Sequence, residues 1–280
     1  MLKQRVLTAI VLFAVLAIVM SAQSLWPFYI FLSCACGLAG WEWTRLTLPS
    51  ARIWPITIGL ALFLITLIQA VAWLVLNVAS LIWVQICVVI SVLIWFICVS
   101  TALYRSRVHE PLAQVGWSVF AIITLFATWG VLALLYREHG VLYVLSLLAM
   151  IWIADIVAYF VGRAIGRRKL APAISPGKTL EGALAGVVGV MIWVWLSAQW
   201  SGSFGAALVS QWGVLVALLL AVLLAVFSIA GDLFESLLKR RAGVKDSSHL
   251  LPGHGGVYDR IDAVVSVVPL AYLLTMGVFS

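Results

Sequence analysis

The chain has 280 residues, of which 65% are hydrophobic and 10% charged, and its mean hydropathy is +1.17. Soluble domains hold roughly 45–50% apolar and 25% charged residues, so a water-soluble fold is excluded. A formal charge of +7 carried by so few ionisable groups suits anionic headgroups and phosphates better than nucleic acid, and no nucleic-acid partner is expected.

A membrane span needs about 20 mostly apolar residues. Such stretches lie near residues 5–22, 27–46, 53–73, 79–103, 117–136, 142–162, 182–199, 211–231 and 261–279, and they predict an all-α integral membrane protein of nine transmembrane helices. Glu42 and Arg45 shorten the second stretch, and 53–103, too long for one helix, divides around Leu76-Asn77. Lys3 and Arg5, the apolar run after them and Ser21-Ala22 would allow a cleavable signal peptide; a retained signal anchor is the preferred reading. Cys34, Cys36, Cys87 and Cys98 all fall within spans and are expected to be core packing. Trp26, Trp41, Trp54, Trp117, Trp200 and Trp212 sit near span ends, as interfacial tryptophans do.

Lys and Arg collect on the cytosolic side of short loops. With nine spans and a cytosolic N-terminus, 16 of the 17 fall on one side, from Lys3 and Arg5 through Arg45, Arg52, Arg105 and Arg107 to Arg260, and only Arg137 falls on the other. A wrong span count would exchange sides part-way and scatter this pattern. The C-terminus is therefore expected on the side opposite the N-terminus, and a bacterial inner membrane is the expected location.

Acids are sparse before residue 140, where only Glu42, Glu110 and Glu138 occur, and nothing there looks catalytic. The other seven, Asp155, Glu181, Asp232, Glu235, Asp246, Asp259 and Asp262, lie at or near the cytosolic face. We read 1–280 as one polytopic domain, with 1–140 as scaffold and 141–280 as the catalytic half, its site carried by cytosolic loops 163–181 and 232–260.

Asp155 lies seven residues before Gly162, which places it roughly 10 Å inside the cytosolic end of its helix. A carboxylate at that depth is costly, so it is read as catalytic or metal-linked, the alternative being an ion pair with Arg163 or a contact between helices. Ala154, Ala158, Gly162 and Gly166 form a small-residue stripe, repeated by Gly182 and Gly186; such stripes allow close helix packing and permit a homodimer. Between them run Arg163, Arg167, Arg168 and Lys169, then Ser175-Pro-Gly-Lys178-Thr179 and Glu181 at a helix start. Ser175, Lys178, Thr179 and nearby N–H groups could hold a phosphate there, whereas the basic run serves equally as positive-inside anchoring. A Walker A motif is rejected, because its first glycine would fall at Pro172.

Asp232, Glu235, Ser236 and Lys239 share one face of a helix that leaves the eighth span and should stop near Gly243. A turn-rich segment follows, from Lys245-Asp246 to His254 and Asp259-Arg260-Ile-Asp262. Asp259 and Asp262, with Asp232 and Asp155, could offer oxygen ligands to a hard divalent cation, Mg²⁺ being the natural one. Lys239, Lys245 and Arg260 could offset charge on a transferring phosphate. His254 is read as a hydrogen-bonding group, since hard-metal sites prefer oxygen; Glu235 and Arg241 are either part of the site or a solvated helix face.

Ser236-Leu-Leu-Lys239-Arg240, then Lys245-Asp246, then His254-Gly255-Gly256-Val-Tyr-Asp259-Arg260-Ile-Asp262 resembles the signature of phosphatidate cytidylyltransferases, as do Ser175-Pro-Gly-Lys-Thr179 and Gly231-Asp232. The motifs cover about a hundred C-terminal residues. One departure is Asp155-Ile-Val-Ala-Tyr159, where the family carries a hydroxyl residue at position 156. The resemblance implies Mg²⁺-dependent transfer of the cytidylyl group of CTP to phosphatidic acid, giving CDP-diacylglycerol and pyrophosphate. It assigns Asp232 and Asp259 to metal, and Asp262, on the same helical face as Asp259, is read as a third ligand. Asp232, Asp259, Lys239, Lys245, Arg260 and Asp155 are the implied catalytic set, and Ser175, Lys178, Thr179, Ser236, Arg240, Asp246, His254, Gly255 and Gly256 the implied substrate-binding set.

A CTP-dependent polyprenol or phytol kinase is the alternative enzyme. A CDP-alcohol phosphotransferase lacks support, because its paired-aspartate helix motif does not occur. A transporter would gather its ionisable groups near the bilayer midplane rather than at one face.

Overall fold

The computed structural model describes residues 2–48, 53–76, 81–108, 110 and 115–275, without the side chains of 2–7 and 9. The side chains of Lys3 and Arg5, Arg52, the link at Asn77 and the end of the last predicted span beyond Thr275 lie outside the described residues.

Helices dominate: α1 (Leu2–Ser21), α2 (Trp26–Thr47), α3 (Trp54–Leu74), α4 (Ile82–Ile94), continued by a π-helical turn (Trp95–Val99) and α5 (Ser100–Arg105), α6 (Val115–Ile165), α7 (Leu180–Ser197), α8 (Phe204–Arg241) and α9 (Tyr258–Thr275). Among the described residues, Trp54–Leu74, Ile82–Arg105, Val115–Ile165, Leu180–Ser197 and Phe204–Arg241 are long and apolar enough to cross a membrane. Their outward positions carry side chains such as Leu60, Ile68, Ile97, Leu184, Leu215 and Leu219, all more than half exposed. In water such surfaces would aggregate, whereas lipid tails solvate them. The protein is an all-α, multi-pass membrane protein.

Two glycines break long helices, one between predicted spans and one just inside a predicted span. Gly140 (φ 78°, ψ −168°) divides the 51 residues of α6 into stretches matching the predicted spans 117–136 and 142–162. Gly213 (φ 73°, ψ 162°) divides α8, so the apolar run predicted from 211 starts its helix beyond that glycine. Both take a left-handed φ that a Cβ disfavours. From residue 214 to Arg241 the helix is about 42 Å long, more than a hydrocarbon core of about 30 Å, so its charged end projects past the apolar layer.

The described residues group into two compact units, each drawn from both sides of residue 140: Met1–Ser91 with His109–Ala133 and Leu238–Ile261, and Val92–Val108 with Leu134–Leu237 and Asp262–Ser280. In the first, α2 and α3 touch through Gly37 and Gly59, where a Cβ on Gly59 would meet the Gly37 carbonyl oxygen at 2.7 Å. Tyr29, Trp73 and Trp129 form an aromatic cluster beside this contact, and the Tyr29 hydroxyl donates to the Ala133 carbonyl at 3.0 Å.

In the second unit the small-residue stripe does what its spacing predicts. A Cβ on Gly182 would meet the Ala158 carbonyl oxygen at 2.6 Å, and one on Gly186 that of Ala154 at 2.8 Å. The segment expected to be a basic loop contains a β-hairpin instead, β1 (Lys169–Ala171) pairing antiparallel with β2 (Ser175–Thr179). Ile174 between the strands is 1% exposed and packs with Leu233 and Leu237 of α8, which gives the hairpin an anchor that its composition does not advertise.

The expectation that all four cysteines are core packing is corrected. Cys36 is buried and Cys87 half-buried, but Cys34 and Cys98 are exposed on helices whose outward faces are apolar.

Candidate active site

In the unit containing α7 and most of α8, three carboxylates converge. Ligand oxygens of Asp232, Glu235 and Asp262 lie within 4.8 Å of one another. Asp232 and Glu235 are one helical turn apart on α8, and Asp262 stands in the second turn of α9. Their approach depends on Gly231, where a Cβ would meet Ser266 Oγ at 2.5 Å and the Asp262 carbonyl oxygen at 2.6 Å. The Ser266 hydroxyl donates to the carbonyls of Phe227 and Ala263, each at 2.8 Å, locking the two helices together at this level.

Lys178, from β2, forms an ion pair with Asp232. The charges of Asp232, Asp155 and Lys178 all act on Asp262, so these four predicted residues are brought together. Asp155 itself is exposed on α6 rather than enclosed among helices, and Arg163 donates to the Tyr159 hydroxyl at 3.2 Å. Thr179 is the N-cap of α7, its hydroxyl accepting from the Gly182 N–H at 3.2 Å. Glu181 accepts from the N–H groups of Arg167 (3.0 Å) and Arg168 (3.2 Å), tying down the entry to the hairpin, while Arg167, Arg168 and Lys169 are exposed. Ser175 and Ser236 are half-buried.

Glu235 is 1% exposed, which rules out a solvated face for that residue. Three oxygen ligands in one cluster, beside a lysine that balances part of their charge, fit a hard divalent cation.

The other unit holds a second constellation. Lys239 donates to Asp259 Oδ1 at 2.8 Å, and the Asp259 carboxylate also accepts from the N–H groups of Ser247 (3.0 Å) and Gly256 (2.7 Å). Glycine is required at 255 and 256 by close approach: a Cβ on Gly255 would overlap Asp259 Oδ2, and one on Gly256 would overlap Ser247 Oγ and Glu42 Oε1. The His254 N–H closes a turn onto the Leu251 carbonyl at 2.8 Å. Lys245, Arg240 and Arg260 are exposed and Asp246 half-buried. Arg241 is not on a solvated face either: its side chain is 3% exposed and bonds Glu110 at 3.3 Å. The helix stops at Arg241, two residues before Gly243, as expected.

One residue of the scaffold half, Glu42, reaches this constellation. Its carboxylate, 0% exposed, accepts from the Ser247 and Ser248 hydroxyls (3.2 and 2.5 Å) and from the N–H groups of Val257 (3.0 Å) and Tyr258 (2.6 Å). Arg45, one turn on, donates to the Ser247 carbonyl at 2.5 Å. The available signal was an acid inside an apolar span.

The profile of the cytidylyltransferase family matches residues 3–277. The chain belongs to this family. This nucleotidyltransferase is 36% identical to the phosphatidate cytidylyltransferase of Haemophilus influenzae, over 96% of this chain and 96% of that one. It is 35% identical to the phosphatidate cytidylyltransferase of Pseudomonas aeruginosa, over 96% of this chain and 95% of that one. A phosphatidate cytidylyltransferase of Bacillus subtilis is 41% identical over about half of each chain. The cytidylyltransferase signature is thus spread over both units, with Asp232 in one and Lys239, Asp259 and Arg260 in the other.

Proposed function

We propose that the protein transfers the cytidylyl group of CTP to phosphatidic acid, forming CDP-diacylglycerol and pyrophosphate for phospholipid synthesis. The observation that carries this reading is near full-length similarity to proteins named phosphatidate cytidylyltransferase, in a chain whose acids and bases gather as that chemistry needs. An oxygen of the lipid phosphate attacks the α-phosphorus of CTP; the bond from that phosphorus to the β-phosphate bridging oxygen breaks, and pyrophosphate leaves with its electron pair. The attacking oxygen is already anionic, so no strong general base is required.

Asp232 and Asp262, with Glu235 beside them, would hold Mg²⁺, which when bound supplies charge neutralisation to the phosphates. Asp259, which the resemblance assigns to metal, fixes Lys239 and the course of residues 246–256. Lys239, Lys245 and Arg260 stabilise charge on the α-phosphate of the cytidylyl group being transferred. Lys178, Ser175 and Thr179 position one substrate from the hairpin side, with Asp155 contributing to the field of the acid cluster. Ser236 in one unit, and Arg240, Asp246, His254, Gly255 and Gly256 in the other, are assigned to substrate binding.

Nine spans, with the N-terminus cytosolic and the C-terminus outside, put this chemistry on the cytosolic face of a bacterial inner membrane, within reach of CTP and of a lipid headgroup.

The test is incubation of detergent-purified protein with radiolabelled CTP, phosphatidic acid and Mg²⁺, followed by separation of the lipids. A labelled CDP-lipid with release of pyrophosphate, abolished by EDTA and restored by Mg²⁺, is expected. Phosphorylation of a lipid alcohol with release of CDP would replace this reading by a lipid kinase.

A further inference from the structure

We propose that Glu42 is a positioning residue for this reaction: from α2 it holds the segment 247–258 in the course that sets Lys239 and Asp259. The inference rests on the function proposed above and adds to it a residue outside the motif-bearing half.

Two of the donors to Glu42, Ser247 and Tyr258, have a second connection. The first N–H groups of a helix have no acceptor within the helix, and Glu42 supplies one to Val257 and Tyr258 at the start of α9, where its negative charge also faces the positive end of the peptide dipoles. Ser247, whose hydroxyl donates to Glu42, sends its own N–H to Asp259 and receives Arg45 on its carbonyl. Gly256 donates its N–H to Asp259 and has no room for a side chain, because Ser247 Oγ and Glu42 Oε1 stand where a Cβ would go. Trp43, next to Glu42, stacks on Tyr258 with ring centroids 4.7 Å apart.

A buried carboxylate is tolerated when donors fill its lone pairs, and four do so here. All four come from residues 247–258, so the carboxylate gathers this one segment and does not serve as a general link between helices. Asp259 then sits one residue beyond Tyr258, at a height and rotation set by the capped turn, with Lys239 drawn onto it.

The test uses full-length protein in detergent and compares wild type, Glu42→Gln and Glu42→Asp by hydrogen exchange and by kinetics with CTP varied. Glutamine keeps the size but turns an amide NH₂ toward backbone donors, whereas aspartate keeps the charge. In Glu42→Gln the amides of Ser247, Gly256, Val257 and Tyr258 should exchange faster by about tenfold, the scale of one charged hydrogen bond, while Trp54–Leu74 exchanges as in wild type. The KM for CTP should rise several-fold per folded enzyme, and Glu42→Asp should recover part of both effects. Wild-type exchange in the segment, or a loss of turnover that only follows the folded fraction with KM unchanged, overturns the proposal. If Glu42→Gln yields no folded protein, the double variant Ser247→Ala, Ser248→Ala removes two donors and leaves the carboxylate. Faster exchange at Val257 and Tyr258 with a raised KM then supports the proposal, and wild-type values refute it. Failure of the functional reading would show in the wild type, as absent cytidylyl transfer, whereas failure of this inference shows only in the variants.

Discussion

Lys239 and Asp259 meet at 2.8 Å with side chains 15% and 4% exposed, two residues of one signature held as a nearly buried ion pair. Asp259→Asn would keep an amide oxygen able to accept from Ser247 or Gly256, so residues 246–256 should hold their course, but it frees Lys239 from its counter-charge. Turnover should drop by about 100-fold or more, comparable to losing one charge-stabilising group, while the protein stays folded in detergent. Near-normal turnover would remove the pair from the reaction.

Lys178 sits on Asp232 as a cation within the acid cluster. Lys178→Ala should therefore act in opposite directions on two measurements. Affinity for Mn²⁺, read by electron paramagnetic resonance, should increase by about tenfold because a competing charge is gone. Turnover should fall, since the side chain is lost to the substrate phosphates. Weaker Mn²⁺ binding would show that Lys178 supports the metal instead of competing with it.

Gly231 lets α8 lie close against α9 at the level of Asp262 and Ser266. A methyl there meets both the Ser266 hydroxyl and the Asp262 carbonyl oxygen, and the second cannot rotate away. Gly231→Ala should cost about 1–3 kcal/mol, seen as a lowered melting midpoint in detergent, and adding Ser266→Ala should restore little of it. Full restoration would mean that the hydroxyl alone sets the spacing.

The proposed topology predicts chemical accessibility. In intact cells an impermeant maleimide should label Ser201→Cys, between α7 and α8, but reach Lys245→Cys only after the membrane is opened. Both native positions are exposed. Labelling of both would require a different number of spans between them, and the reverse order would require the opposite orientation.

Much of this was legible in the sequence because the signals are local. Gly140 breaks α6 between two hydropathy peaks, and Ala158, Gly162, Gly182 and Gly186 pack as their spacing implies. Asp232, Asp262 and Lys178 were picked out by residue type near an apolar boundary, and the structure brings them together. What was not legible depends on partners distant in the chain. Whether Glu235 faces water or protein is decided by the packing of α8, since its neighbours at three and four residues fit either. Pro176-Gly177 suggests a loop, but Ile174 packing on Leu233 and Leu237 makes its flanks a hairpin. Glu42 has no motif around it, and its four donors lie more than 200 residues away.

That last separation bears on how the gene can be divided. The distribution of acids invites a cut near residue 140, leaving a piece with the signature and a piece of plain membrane anchor. Glu42, Arg45 and Trp43 belong to the anchor, while the groups they hold, Ser247, Val257 and Tyr258, belong to the signature. A cut there would strand a buried carboxylate in one fragment and uncapped amides in the other. Neither fragment would hold the Glu42 network whole, so a recombinant that exchanges one half has to bring the matching residues of the other.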